Sequence, residues 1–322
     1  MTRYLILGGG IAALSAAKAI RENDRSGLIV MISGEDFLPY YRPALTKQLL
    51  GNISAQDIAV ESAAWYDAPG RDIVTLAGRT VSAIDTQKKT VSLADGNVFS
   101  YDKLVYALGA RCFIPPFEGS DRSNVIAVRT ADDAARLRKI AQTAKTAVVI
   151  GGGVLGLEAA WSLHQGGLSV SVVEFDTRVM SRQVDADTSE RIARAMKDHG
   201  VDLYTSASTA KADDAGLHLT DGRTLPADLV IVSAGVRANA EIAAAAGIQV
   251  DRKIIVDDHM RTSAPDVYAA GDCAACGMSY ALWAEAAEMG EAAGINAAGG
   301  DAVYQSVPRP VHFAGFGLEI QS

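Results

Sequence analysis

Two glycine-rich turns constrain this chain more than any other feature: Gly8-Gly9-Gly10-Ile11-Ala12-Ala13 and Gly151-Gly152-Gly153-Val154-Leu155-Gly156. The first follows a short apolar run, Tyr4 to Leu7. It opens an alanine-rich helical stretch to about Asn23, and a second apolar run, Leu28 to Ser33, ends near Glu35. The second turn repeats the order: Ala147 to Ile150, the glycines, a helix to about Gln165, then Ser169 to Val173 ending at Glu174. Strand, glycine turn, helix, strand and terminal acid make the G-x-G-x-x-G/A dinucleotide fingerprint in its βαβ setting. Gly8 and Gly151 permit the tight turn. Gly10 and Gly153 let the backbone approach a pyrophosphate. Ala13 and Gly156 keep the helix close to its strand. The helix N-terminus offers free N–H groups and positive dipole to phosphates, and Glu35 and Glu174 can accept hydrogen bonds from a ribose diol. An isolated fingerprint reads equally well as an ordinary glycine turn; two complete copies do not.

Further echoes support a duplication. Leu104 to Arg111 and Leu229 to Arg237 are each an apolar run followed by a glycine, Gly109 and Gly235, as expected of strands buried on both faces. Thr80 to Asp85, Lys89 to Leu93 and Val98 to Tyr101, with the Asp95-Gly96 turn, predict an antiparallel meander. Leu217 to Leu225, with Asp221-Gly222, repeats that hairpin.

Composition narrows the function classes. The 322 residues suit two domains, and 49% hydrophobic against 21% charged residues support a sizeable core. A net charge of −8 argues against a nucleic-acid surface, which needs a basic stripe. Three cysteines exclude a disulfide scaffold and fit a reducing, cytoplasmic compartment. The N-terminus reads as the first strand and helix, not a signal peptide, and no stretch reads as a membrane span. The five histidines share no metal-ligand spacing, and no metal site is expected.

These blocks, with Pro39 to Lys47 and Val267 to Cys273, resemble the FAD-dependent pyridine nucleotide-disulfide oxidoreductase-like flavoproteins. The similarity is greatest to the rubredoxin reductase, ferredoxin reductase and nitrite reductase flavin-module group. The resemblance implies an α/β fold of two Rossmann-like domains, the second inserted in the first, with antiparallel meander crossovers. Its expected boundaries are 1–112 and 245–302 for the FAD domain, 113–244 for the NAD(P)H domain, and 303–322 for the start of a mostly absent C-terminal interface domain. The first fingerprint would hold FAD, with further contacts from Arg42, Lys47, Val81, Gly109, Arg111, Gly271 and Trp283. Asp272 would bond the ribityl chain, and the helix from about Ala281 to Asn296 would aim its N-terminus at the flavin. Lys47 and Glu158 would form an ion pair beside flavin N5, with Lys47 stabilising the reduced flavin.

The second fingerprint would hold NADH. An acid at the position of Glu174 bonds a 2′-hydroxyl and repels a 2′-phosphate, so NADPH is disfavoured, although Arg178 and Arg182 lie near enough in sequence to soften that preference. No cysteine precedes Cys112, which argues against the disulfide-reducing branches. Cys273-Ala274-Ala275-Cys276 resembles a redox dithiol, but the expected reading is a buried structural Cys273 and an incidental Cys276. Three departures stand out. Leu108 replaces a usual threonine, Met289 a usual glutamine, and the chain ends at Ser322. The expected activity is hydride transfer from NADH to FAD and then electron transfer to an iron–sulfur, rubredoxin or haem-type acceptor protein or domain. The alternatives are a flavin subunit of a nitrite reductase-like complex and an NADH-sensing flavoprotein like the apoptosis-inducing factors.

Overall fold

The computed structural model describes residues 1–277 and 279–322. The chain forms two compact units, each discontinuous in sequence: Met1–Tyr41, Ser54–Arg111 and Arg237–Pro308, then Arg42–Ile53, Cys112–Val236 and Arg309–Ser322. The switches at 111/112 and 236/237 differ from the sequence-based boundaries at 112/113 and 244/245. The segment Arg42–Ile53 and the C-terminal residues from Arg309 both pack within the second unit.

The first unit is built on a five-stranded sheet in the order Val267–Ala269, Lys103–Tyr106, Arg3–Leu7, Leu28–Ile32, Ile73–Leu76, with every neighbouring pair parallel. Its central strands are almost continuous apolar runs because helices and loops cover both faces. The helix Ile11–Asn23 is alanine-rich for a packing reason. Ala12, Ala13, Ala16 and Ala17 are buried, and the helix lies against Trp283–Ala297. A Cβ added at Gly290 would stand 2.2 Å from the Ala12 carbonyl oxygen, and one at Gly294 would stand 2.4 Å from that of Ala16. The expected meander is present as the antiparallel strands Val81–Asp85, Thr90–Leu93 and Val98–Ser100.

The second unit repeats the plan: a parallel sheet in the order Asp202–Tyr204, Ser169–Val173, Thr146–Ile150, Leu229–Val232, Val125–Ile126. The helix Val154–Gln165 follows its glycine turn. The helix Ala131–Ala141 opens on a capping box between Thr130 and Asp133. The predicted second hairpin has an additional strand, so Thr209–Asp213, Gly216–Leu219 and Thr224–Leu225 form a three-stranded antiparallel sheet. The last residues form the hairpin His312–Gly315 and Leu318–Gln321, which buries Phe313, Phe316 and Ile320 in this unit's core. The fold is therefore α/β with two duplicated parallel sheets, as the sequence implies. Among the described residues no helix is long and apolar enough to cross a membrane.

Candidate functional site

Each glycine turn leaves the C-terminal end of its central strand, where open α/β sheets bind ligands. Gly8 has φ +132°, and a Cβ there would lie 2.1 Å from the Ala107 carbonyl oxygen. Gly151 has φ +113°, and its Cβ would lie 2.3 Å from the Ser233 carbonyl oxygen. Any other residue would push the neighbouring strand end away. Gly10 and Gly153 differ from these. Both are extended N-cap residues without a side-chain cap, and no atom lies within 4 Å of the place a Cβ would take. Neither helix has a side chain capping its first N–H groups, and the space beside each N-cap glycine is open. That arrangement fits a bound pyrophosphate. Ala13 is fully buried, while a Cβ on Gly156 would lie 2.0 Å from the Gly151 carbonyl oxygen.

In the first unit, Tyr40 donates a hydrogen bond to Glu35 Oε2 at 2.6 Å, orienting the acid at the end of the second strand. Val81 is buried at the start of the meander. Gly109 has φ +62°, and Gly271, at φ +80°, packs against Ala12. At Leu108, which departs from the threonine usual in the family it resembles, the loop is held by Asn239. Its side-chain amide donates to the Leu108 carbonyl and its N–H to the Gly109 carbonyl, both at 2.9 Å. Arg111 pairs with Glu241 at 2.6 Å and bonds Asn239. Asp272 is half-buried beside Cys273. The last long helix begins at Trp283, two residues later than expected, and Trp283 meets Tyr41 edge-on at 5.1 Å. Its first turn contains buried Glu285, which accepts from the N–H groups of Tyr280 and Leu282.

In the second unit, Glu174 is bonded back to its own glycine turn. Its carboxylate accepts from the Gly152 N–H at 2.5 Å and from the Asp176 N–H at 2.7 Å. Arg178 is fully engaged within the protein. Its guanidinium is engaged by the carbonyls of Ser181, Val184 and Asp185 and by Ser189 Oγ. Gly235 has φ +91° just beyond the strand Leu229–Val232. Arg42 donates to the Arg129 carbonyl at 2.5 Å.

Lys47 and Glu158 are brought together on packed elements. Lys47 ends the short helix Ala44–Lys47, which lies against Val154–Gln165. They form no ion pair among the described residues. Burial pushes the Glu158 carboxyl above its ordinary range, and the nearby positive charges of Lys47 and His312 only partly oppose this. Its Oε2 is buried and has no hydrogen-bond partner. Flanking residues Thr46, Leu155 and Ala159, with Cys112, Ser233 and Gly235, line a cavity of about 90 Å³ that sequence reading did not find. The signal for it was present in the block Pro39 to Lys47, but nothing local showed that its part Ala44–Lys47 packs against the helix Val154–Gln165.

All three cysteines are free. Cys273 is fully buried, donates to the Ala270 carbonyl, and has its thiol pushed up to about 12 by burial. Burial also raises Cys112 and Cys276. Asp257, Asp258 and His259 cluster at the surface of the first unit, where His259 bonds Asp258 and Asp301.

Residues 2–290 match the model of the pyridine nucleotide-disulphide oxidoreductase family. The chain is 37% identical over 298 residues to the assimilatory nitrate reductase electron transfer subunit of Bacillus subtilis (strain 168), covering 90% of this chain and 38% of that one. It is 36% identical over 277 residues to rhodocoxin reductase of Rhodococcus erythropolis, covering 84% of this chain and 64% of that one. It thus spans less than two thirds of either relative's length. The crystal structure of the ferredoxin reductase for the CYP199A2 system from Rhodopseudomonas palustris superposes with a TM-score of 0.93 at 30% identity, covering 100% of this chain and 82% of that one. The two glycine turns, their parallel sheets and these matches together establish that the chain belongs to the pyridine nucleotide-disulphide oxidoreductase family.

Proposed function

We propose that this chain is a flavoprotein reductase that binds FAD in the first unit and NADH in the second. Bound FAD would take a hydride from NADH and pass electrons on singly to an acceptor protein. The observation that carries this reading is the doubled turn. Gly8 and Gly151 leave no room for a Cβ beside a strand-end carbonyl, and each is followed by a helix with no side-chain cap and open space beside its N-cap glycine. The helix Ile11–Asn23 would hold the FAD pyrophosphate, with Glu35 on a ribose. Val81, Gly109, Arg111, Gly271, Asp272 and Trp283, all of the first unit, are its further proposed contacts. The helix Val154–Gln165 would hold the NADH pyrophosphate, with Glu174 on the adenine ribose. Lys47 and Glu158 would orient the nicotinamide end and balance its charge. Anaerobic titration with NADH should bleach the flavin absorption of the loaded protein at one equivalent; an unbleached spectrum would refute the reading.

Coenzyme preference follows from Glu174. A bound 2′-phosphate would face a carboxylate while Arg178 is already occupied by four partners, so kcat/KM should favour NADH over NADPH. The acceptor is proposed to be an iron–sulfur, rubredoxin or haem-type protein, because the described thiols are buried or half-buried with raised pKa values and suit no thiol exchange. Rhodocoxin reductase and the ferredoxin reductase are similar to this chain over most of its length. The similarity to a nitrate reductase electron transfer subunit favours one specific variant, a flavin module serving a larger reductase. Co-purification with a stable partner subunit would select that variant. The three free thiols suit a reducing compartment such as the cytoplasm.

A further inference from the structure

Glu174 is held by more than the strand that ends in it. Its carboxylate accepts from the N–H groups of Gly152 and Asp176, and both of those residues are tied in turn to one loop, residues 176–185. The Met180 N–H donates to the Gly152 carbonyl at 2.9 Å. Ser181 Oγ donates to Asp176 Oδ2 at 2.5 Å. Val179 closes the remaining side: a Cβ on Gly152 would stand 2.9 Å from Glu174 Oε2 and 3.0 Å from Val179 Cγ1. Val179 and Met180 are buried in the core of the second unit. The glycine turn, the acid and the loop are thus one hydrogen-bonded block.

Arg178 ties that block together. Its Nη2 donates to the Ser181 carbonyl, and its Nη1 reaches the carbonyls of Val184 and Asp185 and Ser189 Oγ, all at 2.7–3.0 Å. Asp185 caps the helix Ala186–Asp198, and buried Ser189 donates back to the Val179 carbonyl at 2.6 Å. One guanidinium therefore joins the middle of the loop to its end and to the helix that follows. Met180, inside the same loop, has φ +48°. A non-glycine residue keeps that conformation where its surroundings over-determine it.

We propose that Arg178 is a positioning residue for coenzyme selection: by fixing the 176–185 loop it holds Glu174 and the Gly152 backbone in the form that accepts a ribose diol and rejects a 2′-phosphate. The coenzyme half of this statement rests on the second unit being the NADH site. A carboxylate already held by two N–H groups meets a 2′-hydroxyl with little ordering left to do. It also puts a fixed negative charge beside the ribose, which repels a 2′-phosphate. A loosened carboxylate bonds the hydroxyl less well and can swing away from the phosphate. Removing Arg178 should therefore lower the preference for NAD+ over NADP+. Charge alone predicts the opposite, because losing a cation disfavours the coenzyme with the extra phosphate. General loosening of the unit predicts no change in the ratio.

The test uses the full flavin-loaded chain in two arms. The first measures amide hydrogen exchange without nucleotide, read by mass spectrometry. Peptides carrying the Gly152, Asp176 and Met180 N–H groups should exchange about tenfold faster or more in Arg178→Met, while the strand Thr146–Ile150 stays as protected as in wild type. The second arm measures dissociation constants of NAD+ and NADP+, which leave the oxidised flavin unreduced. NAD+ should bind roughly three- to tenfold more weakly to Arg178→Met, the equivalent of ordering one side chain on binding. NADP+ should weaken less, so the ratio falls. Arg178→Lys, which keeps the charge but lacks the planar fork, should fall with Arg178→Met. Ser181→Ala removes only the hydroxyl bond to Asp176; it should move the ratio the same way by less, and it decides both arms if the arginine variants do not fold. Unchanged exchange at Gly152 and Asp176 would overturn the coupling. A ratio that stays the same or rises would overturn the role in selection. If wild type binds neither nucleotide, the NADH reading of the unit fails and takes the coenzyme half with it; the exchange arm still decides whether Arg178 holds the turn.

Discussion

Adding one methyl group at Gly156 and one at Gly153 should damage the protein in different ways. At Gly156 the new Cβ would stand 2.0 Å from the Gly151 carbonyl oxygen. Ordinary contact would need it about 1.4 Å or more farther away, so helix and turn must separate. Overpacking of this kind costs about 1–3 kcal/mol, and at about 2–4 °C per kcal/mol the melting temperature should fall by about 2–12 °C. At Gly153 nothing lies within 4 Å, and the backbone, φ −78° and ψ 178°, is open to any residue. The N-cap preference for glycine over alanine favours wild type, while the lower chain entropy of unfolded alanine, about 0.4–1 kcal/mol, favours the variant. These nearly cancel, so Gly153→Ala should melt within about 2 °C of wild type. If the nucleotide pyrophosphate fills that open space, the same methyl should weaken NADH binding about tenfold or more, the equivalent of about 1.4 kcal/mol. The assay pairs scanning calorimetry of the flavin-loaded, nucleotide-free protein with anaerobic NADH titration. A Gly153→Ala protein that binds NADH like wild type would refute the pyrophosphate assignment. One that melts with Gly156→Ala would refute the packing argument.

Arg21 is 5% exposed and donates to the carbonyls of Asp24, Gly27, Arg71 and Asp72; Arg21→Met should cost about 3–5 kcal/mol in denaturant unfolding, and Arg21→Lys should recover only part of it. Hydrogen bonds from Arg3 hold the Asp102 carboxyl at about 2, below its ordinary value. The stabilisation is therefore present above pH 4 and lost as pH falls toward 2, so Asp102→Asn should melt slightly below wild type at pH 7 and together with it near pH 2. Because burial pushes the Cys273 thiol up to about 12, an aromatic disulfide reagent at pH 8 should leave it unreacted in the native protein and titrate it only after denaturation; rapid native reaction at Cys273 would restore a dithiol role with Cys276.

The parallel sheets and both turns were legible because each rests on a short stretch of sequence. An apolar run needs a cover on both faces, and a glycine after it needs a turn. Strand Ser169–Val173 and helix Val154–Gln165 fall where the sequence puts them. What was not legible depends on partners far away in sequence. Nothing around Arg42–Ile53 shows that this segment packs within the second unit. Nothing near Leu108 shows that Asn239 will hold the loop in place of a threonine hydroxyl. Arg178 was a plausible phosphate ligand by position alone, until the fold gave it four other partners. Glu158 is the sharpest case. Helix position and charge were readable, but its missing hydrogen bond results from burial by elements from three parts of the chain.

The two copies of the turn agree in one respect and differ in another, and the difference locates the binding role. At the first glycine they are nearly superimposable in constraint, with absent Cβ atoms 2.1 and 2.3 Å from the carbonyls of Ala107 and Ser233. At the second glycine both leave open space. At the third position they part: Ala13 keeps its Cβ, whereas Gly156 has no room for one. The first helix uses its small residues elsewhere, letting Gly290 and Gly294 of the last long helix reach the carbonyls of Ala12 and Ala16. The second helix instead faces Lys47 and the C-terminal hairpin and carries Glu158 among them. If the glycines served packing alone, their pattern would differ wherever the packing does. The shared strand-end contact and the shared vacancy persist on helices with unlike neighbours, so a requirement other than packing holds them in place. The pyrophosphate proposed for each helix N-terminus would supply that requirement.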